Sequence, residues 1–159
     1  LGDVYKRQGM MDELDGMASV HQRHLKYNLS FRPIIAPTED AAWEKARQIL
    51  QSVENASKPS VRAPEAETAK RLSRLIDDGE IHDERLWVPI AAAAQGSGNS
   101  TALVGTPEQV AEAIAKYYDL GVAGVLIRGF DPFNDAVEFG KELIPWIRDK
   151  IRQRDDARS

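Results

Sequence analysis

Gly121-Val122-Ala123-Gly124-Val125-Leu126-Ile127-Arg128-Gly129-Phe130-Asp131-Pro132 is the stretch whose reading decides the fold. From Val122 to Ile127 no side chain is polar. So short and unbroken an apolar run predicts a strand covered on both faces, as in a parallel sheet. Gly121 ends the helix before it. Asp131-Pro132 opens the helix after it, with the aspartate as cap and the proline at the first helical position. Upstream, Thr106-Pro107-Glu108-Gln109 is a helix start of the same grammar, with Gln109 as the capping-box partner of Thr106. Val110, Ala113, Ile114, Tyr117 and Leu120 give that helix one apolar face. Helix, short apolar strand, helix is an α/β signature with parallel pairing.

Outward from this unit the pattern repeats. Residues 25–36 read as a strand in which Pro33 weakens pairing, because proline has no ladder donor. Thr38, Glu39 and Asp40 then start a helix with Ala42, Trp43, Ala46, Ile49, Leu50 and Val53 as its buried stripe. Residues 10–24 are expected to be helical around Met10, Leu14, Met17 and Val20. Residues 55–64 read as a mobile linker and 65–78 as an amphipathic helix stopped at Gly79. Leu86, Trp87, Val88 and Ile90 precede four alanines, and residues 96–100 form a flexible Gly/Ser loop. After Pro132 the inner side is expected to carry Phe133, Val137, Leu143, Ile144, Ile147 and Ile151, with a kink at Pro145. The resulting order is helix, strand, helix, a long helical excursion, helix, strand, helix. Two strands cannot close a sheet, so neighbouring strands are expected from chain outside this segment.

The 159 residues are 42% hydrophobic and 29% charged, which suits a globular core rather than disorder. No apolar run is long enough to span a bilayer, and no export signal is visible. The absence of cysteine excludes disulfides, thiolate metal sites and a cysteine nucleophile, and fits a reducing, cytoplasmic setting. A net charge of -4 argues against a nucleic-acid surface. Leu1-Gly2-Asp3-Val4-Tyr5-Lys6-Arg7-Gln8 reads as a translated cloning or sequencing adaptor, the alternative being an ordinary disordered tail. Residues 9–152 are then the native portion, and 153–159 form a charged tail.

Parallel α/β folds place their reacting groups at the carboxyl ends of strands. Two places qualify: Ser30-Phe31-Arg32-Pro33, and Arg128-Gly129-Phe130-Asp131. A guanidinium at a strand end suits a planar or multidentate oxyanion. An ion pair with Asp131 or Glu108 is the competing role for Arg128, and a helix cap is the better role for Asp131. His21 and His24 have helical metal spacing but no third ligand at motif spacing, so no metal site is expected there or at His82. The Gly96 loop lacks the lysine and glycine pattern of a phosphate loop.

Leu103-Val104-Gly105-Thr106-Pro107-Glu108-Gln109-Val110 and Leu126-Ile127-Arg128-Gly129-Phe130-Asp131-Pro132, taken with Ser30-Phe31-Arg32-Pro33 and Asp40-Ala41-Ala42-Trp43, resemble the C-terminal part of the luciferase-like flavin-dependent monooxygenases. The alkanesulfonate monooxygenases are the most similar group. The resemblance runs over nearly all of residues 10–152. It implies the C-terminal portion of a (β/α)₈ TIM barrel in which residues 52–100 form a lid. It also implies reduced FMN supplied by a separate flavin reductase, O₂ as co-substrate, a small organic substrate such as a sulfonate, and a homo-oligomer when full length. The fragment alone is expected to be inactive.

By that resemblance, the family's strand arginine and histidine align with Ser30 and Arg32, and its tyrosine with Phe130. The insertion arginine falls near Ala94 and Gln95. Positive charge is retained but displaced, and the tyrosine hydroxyl is lost. Arg32 and Phe130 are thus the candidate catalytic positions, and Ser30, Phe31, Arg128 and Gly129 the candidate substrate- or cofactor-binding ones. A deazaflavin-dependent reductase with the same barrel and a non-catalytic interaction module are the alternative functions.

Overall fold

Nine consecutive extended residues, Tyr27–Ile35, form β1, the central strand of the sheet. The structure, a computed structural model, describes residues 4–56, 79–83, 85–93 and 101–159. The expected helix at 65–78, the loop at 96–100 and most of the expected lid lie outside these residues. The first half of β1 pairs in parallel with β5 (Val122–Ile127), with Ser30 opposite Leu126 and Phe31 opposite Ile127. Its second half pairs in parallel with β4 (Ala102–Gly105), with Arg32 opposite Ala102 and Ile35 opposite Gly105. Two short strands, β2 (Ile81–His82) and β3 (Leu86–Trp87), continue the sheet antiparallel beyond β4, giving the order β2-β3-β4-β1-β5.

Pro33 marks the hand-over between the two partners of β1. The N–H groups of Arg32 and Ala36 donate to Thr101 and Gly105 on the β4 side. Pro33, one residue out of phase, faces the β5 side, where pairing ends at Phe31. The missing donor therefore falls where no ladder bond is needed.

Each sheet face carries helices. α2 (Glu39–Ala56) and α3 (Pro89–Ala93) cover one face, burying Ala42 and Ala46 against Ile34, Trp87, Ala102 and Val104. Trp43 and Trp87 meet edge-on there at 6.0 Å. α4 (Pro107–Asp119) covers the other face and packs Val110, Ile114 and Tyr117 against Phe31, Ile35 and Leu103. The step from β1 to β4 runs one way along the sheet, and the step from β4 to β5 runs back across β1. Right-handed crossovers in opposite directions put their helices on opposite faces. A closed (β/α)₈ barrel pairs strands that follow one another in sequence, whereas β1 here lies between β4 and β5. The architecture seen is an open, mixed α/β sheet.

Four expectations change. β5 is an edge strand, not a strand covered on both faces: Ala123 is exposed and Leu126 is 57% exposed. β4 and the β2–β3 hairpin are strands that sequence did not announce, because runs of two to four residues become strands through pairing rather than propensity. α1 (Val4–Ser19) begins within the adaptor-like stretch and ends before His21 and His24, so these two do not share a helix face. Its stripe of Met10, Leu14, Met17 and Val20 is exposed; the helix is tied down through Tyr27, whose hydroxyl donates to Met11 O at 3.0 Å and Asp15 Oδ1 at 2.9 Å. Beyond β5, α5 (Pro132–Glu138) leaves Phe133 and Val137 exposed; burial falls on Leu143, as expected, and on Phe139, which the expected inner side did not include.

Phe139–Leu143 is a π-helical turn leading into α6 (Ile144–Arg158). Pro145, at the start of α6, lacks an N–H, and the wider turn absorbs that interruption without breaking the rod. The chain after residue 152 is helical through Arg158. Lys150, Arg154 and Arg158, one turn apart, pair with Glu108, Glu112 and Asp119 on α4.

The capping box at Thr106 forms as expected: Thr106 Oγ1 accepts from Gln109 N, and Thr106 N donates to Gln109 Oε1 at 2.9 Å. Thr106→Ala is expected to cost about 1 kcal/mol in urea denaturation, with Thr106→Ser close to wild type. Equal midpoints for the two variants would show that the cap contributes nothing.

Candidate functional site

Where β5 stops, β1 continues, and the corner between them is the switch point at which the two crossovers diverge. Open α/β sheets bind ligands at such points. Arg128 N donates to Phe31 O, so the chain leaving β5 stays bonded to β1 for one more residue. The side chain of Arg32 then reaches across. Its guanidinium donates to the carbonyl of Gly129 and lies over the Phe130 ring, 5.0 Å from the centroid. Arg128 is close enough that its charge acts on Arg32. The Arg32 pKa is held below the usual arginine value, first by burial and then by Arg128, with Asp135 opposing both. Ser30 belongs to the same corner. Its Oγ is buried and makes no hydrogen bond among the described residues.

The turn from Arg128 to Asp131 is held from below by Asp135, in the first turn of α5. One carboxylate oxygen, Oδ2, accepts from Phe130 N at 2.6 Å and from Asp131 N at 2.9 Å. Gly129 permits this approach, because a Cβ there would overlap the Cβ of Asp135. Asp131 is the helix cap, accepting from Phe133 N and Asn134 N and bound to the Asn134 amide at 2.7 Å. Those bonds hold its carboxyl below the usual aspartate range, the Asn134 side chain contributing most.

On the other side of Phe130 opens a cleft of about 540 Å³ between α2 and this turn. Ile34, Ile49, Val53 and Phe130 form its apolar walls, and Lys45, Gln48 and Asp135 are among its polar groups. Lys45 Nζ is bonded to Ile35 O at 3.2 Å and to Glu138 Oε2 at 3.0 Å, tying α2 to α5 across the opening.

Of the residues expected from sequence, Ser30, Arg32, Arg128, Gly129 and Phe130 come together. Phe31 does not: it is 1% exposed, points to the opposite face and packs on Tyr117 with ring centroids 5.1 Å apart. Strand alternation is the cause, since neighbours of Arg32 must face away from it. Glu108, a suggested partner for Arg128, is engaged by Lys150. Ala94 and Gln95 lie outside the described residues. Among the described residues no three His, Asp or Glu side chains converge as a metal site, and no helix is long and apolar enough to cross a membrane. Asp135 and Lys45 were missed. An acid in a first helical turn has so common a reason to be there, the helix dipole, that it carries no signal of a second role.

The crystal structure of riboflavin lyase (RcaE) with modified FMN and substrate riboflavin matches 94% of this chain with a TM-score of 0.62 at 19% identity. The chain spans 37% of that protein's length. At this identity the likeness shows a common fold. The family model for luciferase-like monooxygenases matches residues 2–124, more than half of the chain, and the chain therefore belongs to the luciferase-like monooxygenase family.

Proposed function

We propose that this chain is part of a flavin-dependent monooxygenase that uses reduced FMN and O₂ on a small organic substrate, and that Ser30, Arg32 and Arg128 receive an oxyanion, a phosphate or sulfonate, at the β1–β5 corner. The observation that carries the oxyanion is the juxtaposition of two arginines at a strand end beside a buried serine hydroxyl with no hydrogen-bond partner among the described residues. Like charges repel, and an anion between them offsets that repulsion and meets the serine donor. The phosphate of FMN and the sulfonate of a substrate share the oxyanion chemistry that this corner would receive. Bound reduced FMN would supply the activation of O₂. The residues here would bind and orient the anion, and Phe130 has no hydroxyl with which to move a proton.

A flavin reductase would supply the reduced cofactor, and the enzyme would be a homo-oligomer. The alkanesulfonate type is supported by the arginine pair, while serine in place of the strand arginine changes its geometry.

Calorimetric titration of the chain with inorganic phosphate and with methanesulfonate is the direct test. Arg32→Met and Arg128→Met are each expected to weaken binding about tenfold to a hundredfold. Unchanged affinity in both would overturn the anion site. In a full-length homologue bearing both arginines, oxygen consumption with reduced FMN is expected; turnover with a reduced deazaflavin alone would overturn the FMN reading.

A further inference from the structure

The cleft between α2 and the Arg128–Asp131 turn is distinct from the arginine corner. They adjoin at Phe130, which lines the cleft and carries Arg32 against its ring, and at Asp135, which lines the cleft and acts on the charge of Arg32. The ring is fixed on several sides. Arg32 lies over it and binds the preceding carbonyl, and Asp135 holds its backbone N–H and the next one. Ile49 and Val53, one turn apart on α2, and Ile34, 1% exposed on β1, add apolar surface to the lining of the same cleft. A fixed aromatic ring with branched aliphatic side chains in the same cleft makes a slot that suits a flat, apolar body. A volume of about 540 Å³ lies within the range of small-molecule sites. The polar groups stand among these walls: Gln48 and Ser52, the Lys45 ammonium paired with Glu138, and the Asp131 and Asp135 carboxylates, which accept from backbone N–H groups. A neutral molecule would enter without stranding a charge.

We propose that this cleft binds the planar aromatic body of the substrate, with Phe130 as its stacking wall and Asp135 as the residue that positions that wall. The proposal rests on the flavin-enzyme reading only in calling the occupant a substrate; the site and its chemistry stand on the cleft itself. Aromatic pairs prefer offset or edge-on contact and gain beyond area burial. A saturated molecule of equal size therefore binds more weakly in the same slot.

The test is an amide NMR titration of the 159-residue chain with quinoline, and with 2-decalone, a neutral saturated bicycle of nearly the same size. Quinoline is expected to saturate, with shifts centred on Ile34, Ile49, Val53 and Phe130, and to bind about tenfold more tightly than the saturated probe. Phe130→Leu keeps the bulk and removes the ring, and is expected to lose that preference; Phe130→Trp is expected to restore it. Asp135→Ala is expected to lose it while the amides of α4 and β4 stay in place, and Asp135→Asn, which retains an acceptor oxygen, to keep most of it. Equal affinity for the two probes, or Phe130→Leu without effect, would overturn the proposal. So would competition between FMN and quinoline, which would make the cleft a flavin site. Loss of phosphate binding in Arg128→Met with quinoline binding intact would show that the two sites stand or fall separately.

Discussion

Replacing Leu103 by alanine is expected to remove about 2–5 kcal/mol of stability, the cost of a cavity in a core that cannot collapse around it. Leu103 is fully buried in β4, opposite Pro33 of β1 on one side and Leu86 of β3 on the other. It belongs to the core formed with Val110, Ile114 and Tyr117 of α4. The side chain therefore touches two neighbouring strands and a helix, and none of these can close over the lost volume without breaking a ladder. Leu126 is the control. It is 57% exposed on the edge strand, and Leu126→Ala is expected to change stability by less than about 0.5 kcal/mol. Urea denaturation of the two variants reads the difference directly. Similar midpoints would mean that β4 is not an interior strand.

Gly129→Ala is expected to have the largest effect on the site. The added Cβ overlaps the Cβ of Asp135, an atom fixed by the helix backbone rather than the end of a flexible chain. Either the 128–131 turn or the first turn of α5 must move, at a cost of about 1–3 kcal/mol. Movement of either breaks the bonds from Phe130 N and Asp131 N to Asp135 and takes the Phe130 ring off Arg32. Loss of quinoline binding is expected together with large amide shifts at Phe130 and Asp131. In an Asp135→Gly background the clash is gone, and the further cost of Gly129→Ala is expected to fall below about 1 kcal/mol. Additive costs in the double variant would show that the two positions do not touch.

The local elements were legible where residues carry their own instructions. Thr106 and Asp131 are caps wherever the helices they begin are placed, and Gly121, with a φ of 91°, ends a helix by adopting a backbone that other residues resist. The strand at 122–127 was legible for the same reason. Its burial was not, because an apolar run is the same string of letters at the centre of a sheet and at its edge. β4, only four residues long, had too little pattern to be read, and the hairpin strands of two residues had none. The site was half legible. Arginine at a strand end is a signal in itself and marked Arg32 and Arg128 as candidates, whereas Phe130 was marked by the resemblance, at the position of the family's tyrosine. Phe31 was included because it is adjacent in sequence, and the alternation of the strand sent it to the core. Asp135 was missed because its second role depends on a turn folding back onto a helix start.

By itself the sequence determined the class of the chain: helices with written starts and stops, short apolar strands between them, and arginines where strands end. The tertiary structure decided which strand is central, which face each helix covers, and that residues 97 positions apart, Arg32 and Gly129, share one hydrogen bond. The reason is one of range. Caps and periodicity act over a few residues and are stored in the order of the letters, while strand order, burial and the meeting of Arg32 with Phe130 are settled only by which distant surfaces exclude water together.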